Sequence, residues 1–142
     1  MLDLKKVREN LDEYKDLQTA KTERQGAYNS YKTKFSNELE TELVTEASKT
    51  TRTAGTDKEF EELLEKYQKS IASGATTEEK EAYKKAFTEY QNKQMVADMK
   101  KADGKATSGR AYQELNALFD KNKANKDAYT KYHDKIKEKK CH

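Results

Sequence analysis

Apolar residues recur along this chain at steps of three and four, the spacing of a helix with one buried stripe. Leu4, Val7, Leu11 and Tyr14 open the pattern as an a/d seam. Gln18, Lys21 and Gln25 then occupy the positions that should continue it. The seam resumes with Tyr28, Tyr31, Phe35, Leu39 and Leu43, now mostly at steps of four. The pattern predicts a long or kinked helix over residues 3–48, about 70 Å long at roughly 1.5 Å per residue. Gly26 lies in the polar gap, so one kinked helix and two helices broken near Gly26 both fit the spacing.

Two shorter stripes follow. Thr56 with Glu59 fits a capping box, in which two side chains satisfy orphaned amides reciprocally. Phe60, Leu63, Leu64, Tyr67 and Ile71 then predict a helix over 57–72. Thr76 with Glu79 repeats the box, and Tyr83, Ala86, Phe87, Tyr90, Gln94 and Met95 predict a helix over 77–102. With only Ser73–Thr77 between them, the pair reads as an antiparallel hairpin. Glu62/Lys66, Glu65/Lys69, Glu81/Lys85 and Glu89/Lys93 add i,i+4 pairs worth about 0.2–0.5 kcal/mol each. The two stripes resemble each other at an offset of 23 residues (Phe60 and Tyr83, Tyr67-Gln68 and Tyr90-Gln91). A sequence repeat would produce this likeness, and facing amphipathic helices would look alike without shared ancestry.

A C-terminal helical region over 108–139 carries Ala111, Tyr112, Leu115, Leu118 and Phe119, then Ala128, Tyr129, Tyr132 and Ile136. The polar interval Lys121–Asp127 between them reads as a break or as exposed helix. Gly55, Gly74, Gly104 and Gly109 fall between the predicted elements. The expected architecture is all-α: four to five helices in an elongated bundle or coiled-coil-like assembly, with residues 1–142 as a single helical unit.

Composition tests that reading. Leu, Ile, Val and Phe number only 19, few enough to suggest disorder in a chain of high net charge. Here 29 basic and 26 acidic side chains leave a net of only +3. Ala, Glu, Lys, Leu and Arg supply 71 of 142 residues, Gly is rare and Pro absent, which favours helix. So thin a core predicts that self-association or a protein partner covers part of the seams. The opening residues lack the apolar stretch of a secretory signal, and no apolar run approaches the roughly 20 residues a membrane span needs. A soluble, cytoplasmic chain is expected.

The search for chemistry returns little. His133, Cys141 and His142 are the only strong nitrogen or sulfur ligands, bunched at one end, and are read as a terminus rather than a zinc site. No phosphate-binding loop, nucleophile elbow or zinc-protease motif is present. The expectation is a non-enzymatic structural or interaction protein, with no catalytic, cofactor or metal residues and no small-molecule substrate. Charge is more informative. Residues 121–142 hold eight Lys against Asp127, Asp134 and Glu138, a net of +5, leaving 21 basic and 23 acidic side chains before them. Residues 36–48, by contrast, contain Glu38, Glu40, Glu42 and Glu46 and no base. Lys131, Lys135, Lys137, Lys139 and Lys140 are therefore the candidate contacts to an acidic partner, either nucleic acid or an acidic protein surface. The same cations would complement a helix C-terminus with no partner at all. The segment has no Arg, which disfavours base-specific readout. Tyr112, Tyr129 and Tyr132 near it suit stacking on single-stranded bases or seam packing.

The opening MLDLKKVREN resembles the first residues of bacterial seryl-tRNA synthetases. That resemblance implies a helical hairpin arm that binds tRNA. It covers residues 1–10 only, and the chain is too short for the synthetase catalytic domain and carries none of its motifs.

Overall fold

The computed structural model describes residues 4–49, 57–101 and 105–140; the side chains of Leu4 and Lys140 lie outside that description. The described residues form an all-α bundle of five helices with no strand: α1 (Leu4–Asn10), α2 (Asp12–Ala47), α3 (Lys58–Ile71), α4 (Thr77–Lys101) and α5 (Tyr112–Lys140). No helix among them is long and apolar enough to cross a membrane.

Of the two alternatives at Gly26 the continuous helix holds: α2 runs unbroken through the polar gap, and the interruption lies at Leu11. Leu11 leaves the helical path but keeps its bonds: its N–H donates to Arg8 O (3.3 Å), and its carbonyl accepts from Tyr14 N (3.1 Å) and Lys15 N (3.2 Å). Asp12 and Glu13 begin α2 with negative charge at the positive end of the helix dipole. Gly26 costs α2 some intrinsic stability but requires no special conformation, and a methyl group there would meet nothing within 4 Å. Threonines inside the helices are absorbed by bonding back to the preceding turn, as Thr41 Oγ1 to Asn37 O (2.9 Å) and Thr45 Oγ1 to Thr41 O (2.8 Å) show.

The chain packs as two compact units. One contains residues 1–31, 104–108 and 112–142. Leu17, Ala20, Tyr31, Leu115 and Leu118 are its buried apolar residues. Val7, Leu11 and Tyr14, the opening of the predicted seam, are only half-buried. Tyr14 and Tyr132 meet with ring centroids 5.8 Å apart, and Lys121 Nζ donates to Glu23 (3.0 Å). From Tyr14 to Glu23 the contacts advance along α2 while from Tyr132 to Lys121 they retreat along α5, so α5 lies antiparallel to the first half of α2. The polar interval of α5 is continuous helix, and its first residue bonds the middle of the polar gap of α2, where residues 21–26 are all exposed. Ahead of α5, Asn116 clamps the backbone of Ala106, accepting its N–H (2.7 Å) and donating to its carbonyl (2.8 Å).

The other unit contains residues 32–103 and 109–111. Phe35, Leu39 and Leu43 on α2 are fully buried, at roughly 1.5–3 kcal/mol each. Phe60, Leu63, Leu64, Tyr90, Met95 and Ala111 complete this core. α3 and α4 form the expected hairpin, with Phe60–Tyr90 rings at 6.1 Å and Tyr67–Tyr83 edge-on at 5.3 Å. These contacts pair the aromatics that carry the 23-residue likeness between the stripes. In each, the first aromatic meets the second aromatic of the other, as antiparallel pairing dictates. The likeness ends at the glutamines: Gln68 is exposed, whereas Gln91 is 4 % exposed and donates to Lys32 O (3.2 Å).

The Thr76–Glu79 box forms in full. Glu79 N donates to Thr76 Oγ1 (3.1 Å), and Thr76 N donates to Glu79 Oε1 (3.0 Å). The box expected at Thr56 differs: Thr56 lies outside the described residues, and Asp57 caps α3 by accepting from Glu59 N (3.1 Å). Glu59 binds Lys93 across the hairpin, where Glu89 was the expected partner of Lys93. Of the other expected pairs, Glu65–Lys69 closes at 3.3 Å, while Glu81 faces Lys84 at 4.0 Å.

Candidate functional site

The candidate lysines all belong to α5, and helical geometry divides them. At roughly 100° per residue, Lys131, Lys135 and Lys139 share one side of the helix and Lys137 lies on the other. Between the two flanks runs an acidic ridge: Asp127, Asp134 and Glu138 fall within about 40° of one another. Lys131, Lys137 and Lys139 are exposed; Lys135 is half-buried and reaches Glu138 at 3.7 Å. Lys140 ends the helix, its side chain outside the described residues. The net charge of this segment is thus divided, with Lys131, Lys135 and Lys139 on one side of the helix and Lys137 on the other. His133 is exposed, with its ring 5.8 Å from that of Tyr129, and Cys141 and His142 lie outside the described residues. Tyr112 and Tyr132 are half-buried, whereas Tyr129 stands 53 % exposed.

The acid run of α2 is met by a cation that periodicity did not single out. Arg110, in the turn before α5, forks onto Glu42: its Nε donates to Oε2 and its Nη2 to Oε1 (3.0 Å). Its guanidinium also stands over the rings of Phe35 (5.6 Å) and Tyr90 (5.7 Å), a cation–π arrangement on both. Glu38 accepts the N–H of Ala111 at 2.7 Å. That bond holds Ala111 in a left-handed conformation (φ 53°), one an alanine rarely adopts, with its methyl buried. Gly109, at φ 104°, makes the same turn without steric cost. Burial alone would lower the pKa of Arg110, but hydrogen bonding and charge from Glu42, then Tyr90, raise it.

A cleft of about 700 Å³ opens beside this cluster, lined by Lys34, Asn37, Thr41 and Asp98 together with Glu38, Glu42 and Arg110. Desolvation raises the pKa of the Asp98 carboxyl, against the charges of Arg110 and Lys101. Two of the cleft's three carboxylates are already engaged by Arg110 and Ala111, so the arrangement is built to hold a turn. Among the described residues, no group of three or more His, Cys, Asp or Glu side chains is placed to hold a metal ion. The sequence did contain the signal for Arg110. Four glutamates without a local base ask for a cation from elsewhere, and the chain has only four Arg. Compared with protein-family models, curated proteins and solved structures, the chain matches none.

Proposed function

We propose that this chain is a non-enzymatic structural or interaction protein that works through contacts between helix faces. The observation that carries the reading is the apolar surface left uncovered. Val44, Ile71 and Val96 are 52, 60 and 46 % exposed, on helices whose opposite faces are buried. Large aliphatic side chains gain free energy when a second surface covers them, and these three are a sizeable share of the 19 strong hydrophobes in the chain. Either a second copy or a different protein supplies that surface.

The test is to size the full chain twice, purified in isolation over a wide concentration range and in native extracts of its source. A species larger than the 16.4 kDa monomer is expected in at least one setting, shrinking when Val44, Ile71 and Val96 are all replaced by Ser. A free monomer in both settings refutes the proposal. A second reading, non-specific binding of a nucleic-acid backbone by the C-terminal end of α5, is favoured by the exposure of Lys131, Lys137 and Lys139. It ranks lower because the acidic ridge runs among these lysines and no Arg supports them.

A further inference from the structure

We infer that one flank of α5, formed by Lys126, Tyr129, His133 and Lys137, binds single-stranded nucleic acid, with the Tyr129 ring as its stacking platform. The inference rests on the second reading above and moves its centre away from Lys131, Lys135 and Lys139. Steps of three, four and four place these four residues on a single stripe, and Lys123 borders it. All five are exposed. Together they span an arc of about 120°, which Asp127, Asp134 and Glu138 border without entering. On the other flank, Lys135 is engaged by Glu138.

Tyr129 is unlike the other aromatics of its helix. Tyr112, Phe119 and Tyr132 are half-buried, and Tyr132 packs on Tyr14, whereas Tyr129 offers most of its ring to solvent. The neighbouring His133 ring lies 5.8 Å away, tilted by 42°. An aromatic between cations at either end suits a strand whose phosphates run along the helix while a base stacks at the centre. A duplex hides its bases and cannot use the ring. An acidic protein would use the lysines but gain nothing from stacking.

The experiment is fluorescence anisotropy of the full chain with a labelled oligothymidylate, at low and physiological salt, with polyglutamate as competitor. Binding to the oligothymidylate should exceed binding to a duplex of equal length. Tyr129→Ala should weaken it about 5- to 150-fold while circular dichroism shows the helices intact. Lys126→Gln with Lys137→Gln should flatten the log–log salt slope by about 1.4, near 0.7 per lost phosphate contact. Lys131→Gln with Lys135→Gln should change affinity less than twofold. Absence of any salt-sensitive binding overturns the inference and the second reading together. Binding that ignores Tyr129→Ala, falls equally with the Lys131 and Lys135 pair, or yields equally to polyglutamate overturns the inference alone.

Discussion

Replacing Arg110 by Ala tests whether this side chain organises the core of residues 32–103. Three contributions disappear with it. The fork onto Glu42 is a charge-assisted bond, worth about 1.5–3 kcal/mol when fully desolvated. The Glu42 side chain is 44 % exposed, so water screens the pair and about 1 kcal/mol is the fitting figure. Cation–π contact with Phe35 and Tyr90 adds about 0.5–1 kcal/mol for each ring. The alkyl stem packs in the same place, since the side chain is only 21 % exposed. The expected cost is about 2–3 kcal/mol, read as a lower urea midpoint by circular dichroism, with near-ultraviolet tyrosine signals marking the unit that holds Tyr90. Arg110→Lys keeps a charge and a stem but not the planar fork, and should recover less than half of the loss. In a double-mutant cycle with Glu42→Gln, the coupling should be about 1 kcal/mol. A cost below about 0.5 kcal/mol for Arg110→Ala, or full recovery by Lys, would show that the turn is held by Ala111 and Glu38 without the guanidinium.

Gly26→Ala should raise stability by about 0.5–1 kcal/mol, because α2 is continuous there and the added methyl meets nothing; a lower thermal midpoint would mean the helix bends at Gly26. Thr76→Ala should cost about 1 kcal/mol by removing the N-cap of α4. The backbone amide and then the hydroxyl of Thr76 hold the Glu79 carboxyl below its ordinary 4.5, so the stabilisation is present above that pH and lost as pH falls through the lowered folded value. The bond from Glu79 N to the Thr76 hydroxyl does not titrate, and the amide of residue 76 survives in Thr76→Ala, so the gap between wild type and variant should narrow only in part in acid; complete convergence would contradict the capping account. Burial, with smaller help from the charges of Glu40 and Tyr67, pushes the Tyr83 phenol up to about 12 from its ordinary 10.0. That contribution is whole below the ordinary value and is lost as pH rises through the folded one. Tyrosinate absorbance of wild type minus Tyr83→Phe should show a titration near 12, and one near 10 would place the ring in solvent.

Local rules made much of this fold legible. Periodicity placed α3 and α4 within a residue of their observed ends, because Phe60, Leu63, Leu64, Tyr90 and Met95 are buried by the hairpin itself. The Thr76 box was readable for the same reason: its partners lie three residues apart. What stayed hidden depends on distant residues. Gln91 looks like surface until Lys32 O is found across the core, and Asp57 caps α3 while Glu59 turns to Lys93. The α5 lysines counted as one cluster in the sequence because net charge has no angular coordinate, whereas 100° steps separate them into two flanks.

The polar stretches bring the local and distant cases together. Read singly, Lys21–Gly26 and Lys121–Asp127 each invite a helix break, since neither offers a residue to bury. In the folded chain both are helical and Glu23 meets Lys121 across them, so one polar stretch is answered by the other. An exposed pair of this kind contributes little to stability, a fraction of a kcal/mol. Its consequence is register. Sliding α5 along α2 by one turn in either direction would take Lys121 from Glu23 and Tyr132 from Tyr14 at once. A thin seam of Leu and Tyr says little about which turn should face which, and polar residues at matched positions supply that information. The gap that looked like a defect of the seam is, on this account, what aligns it.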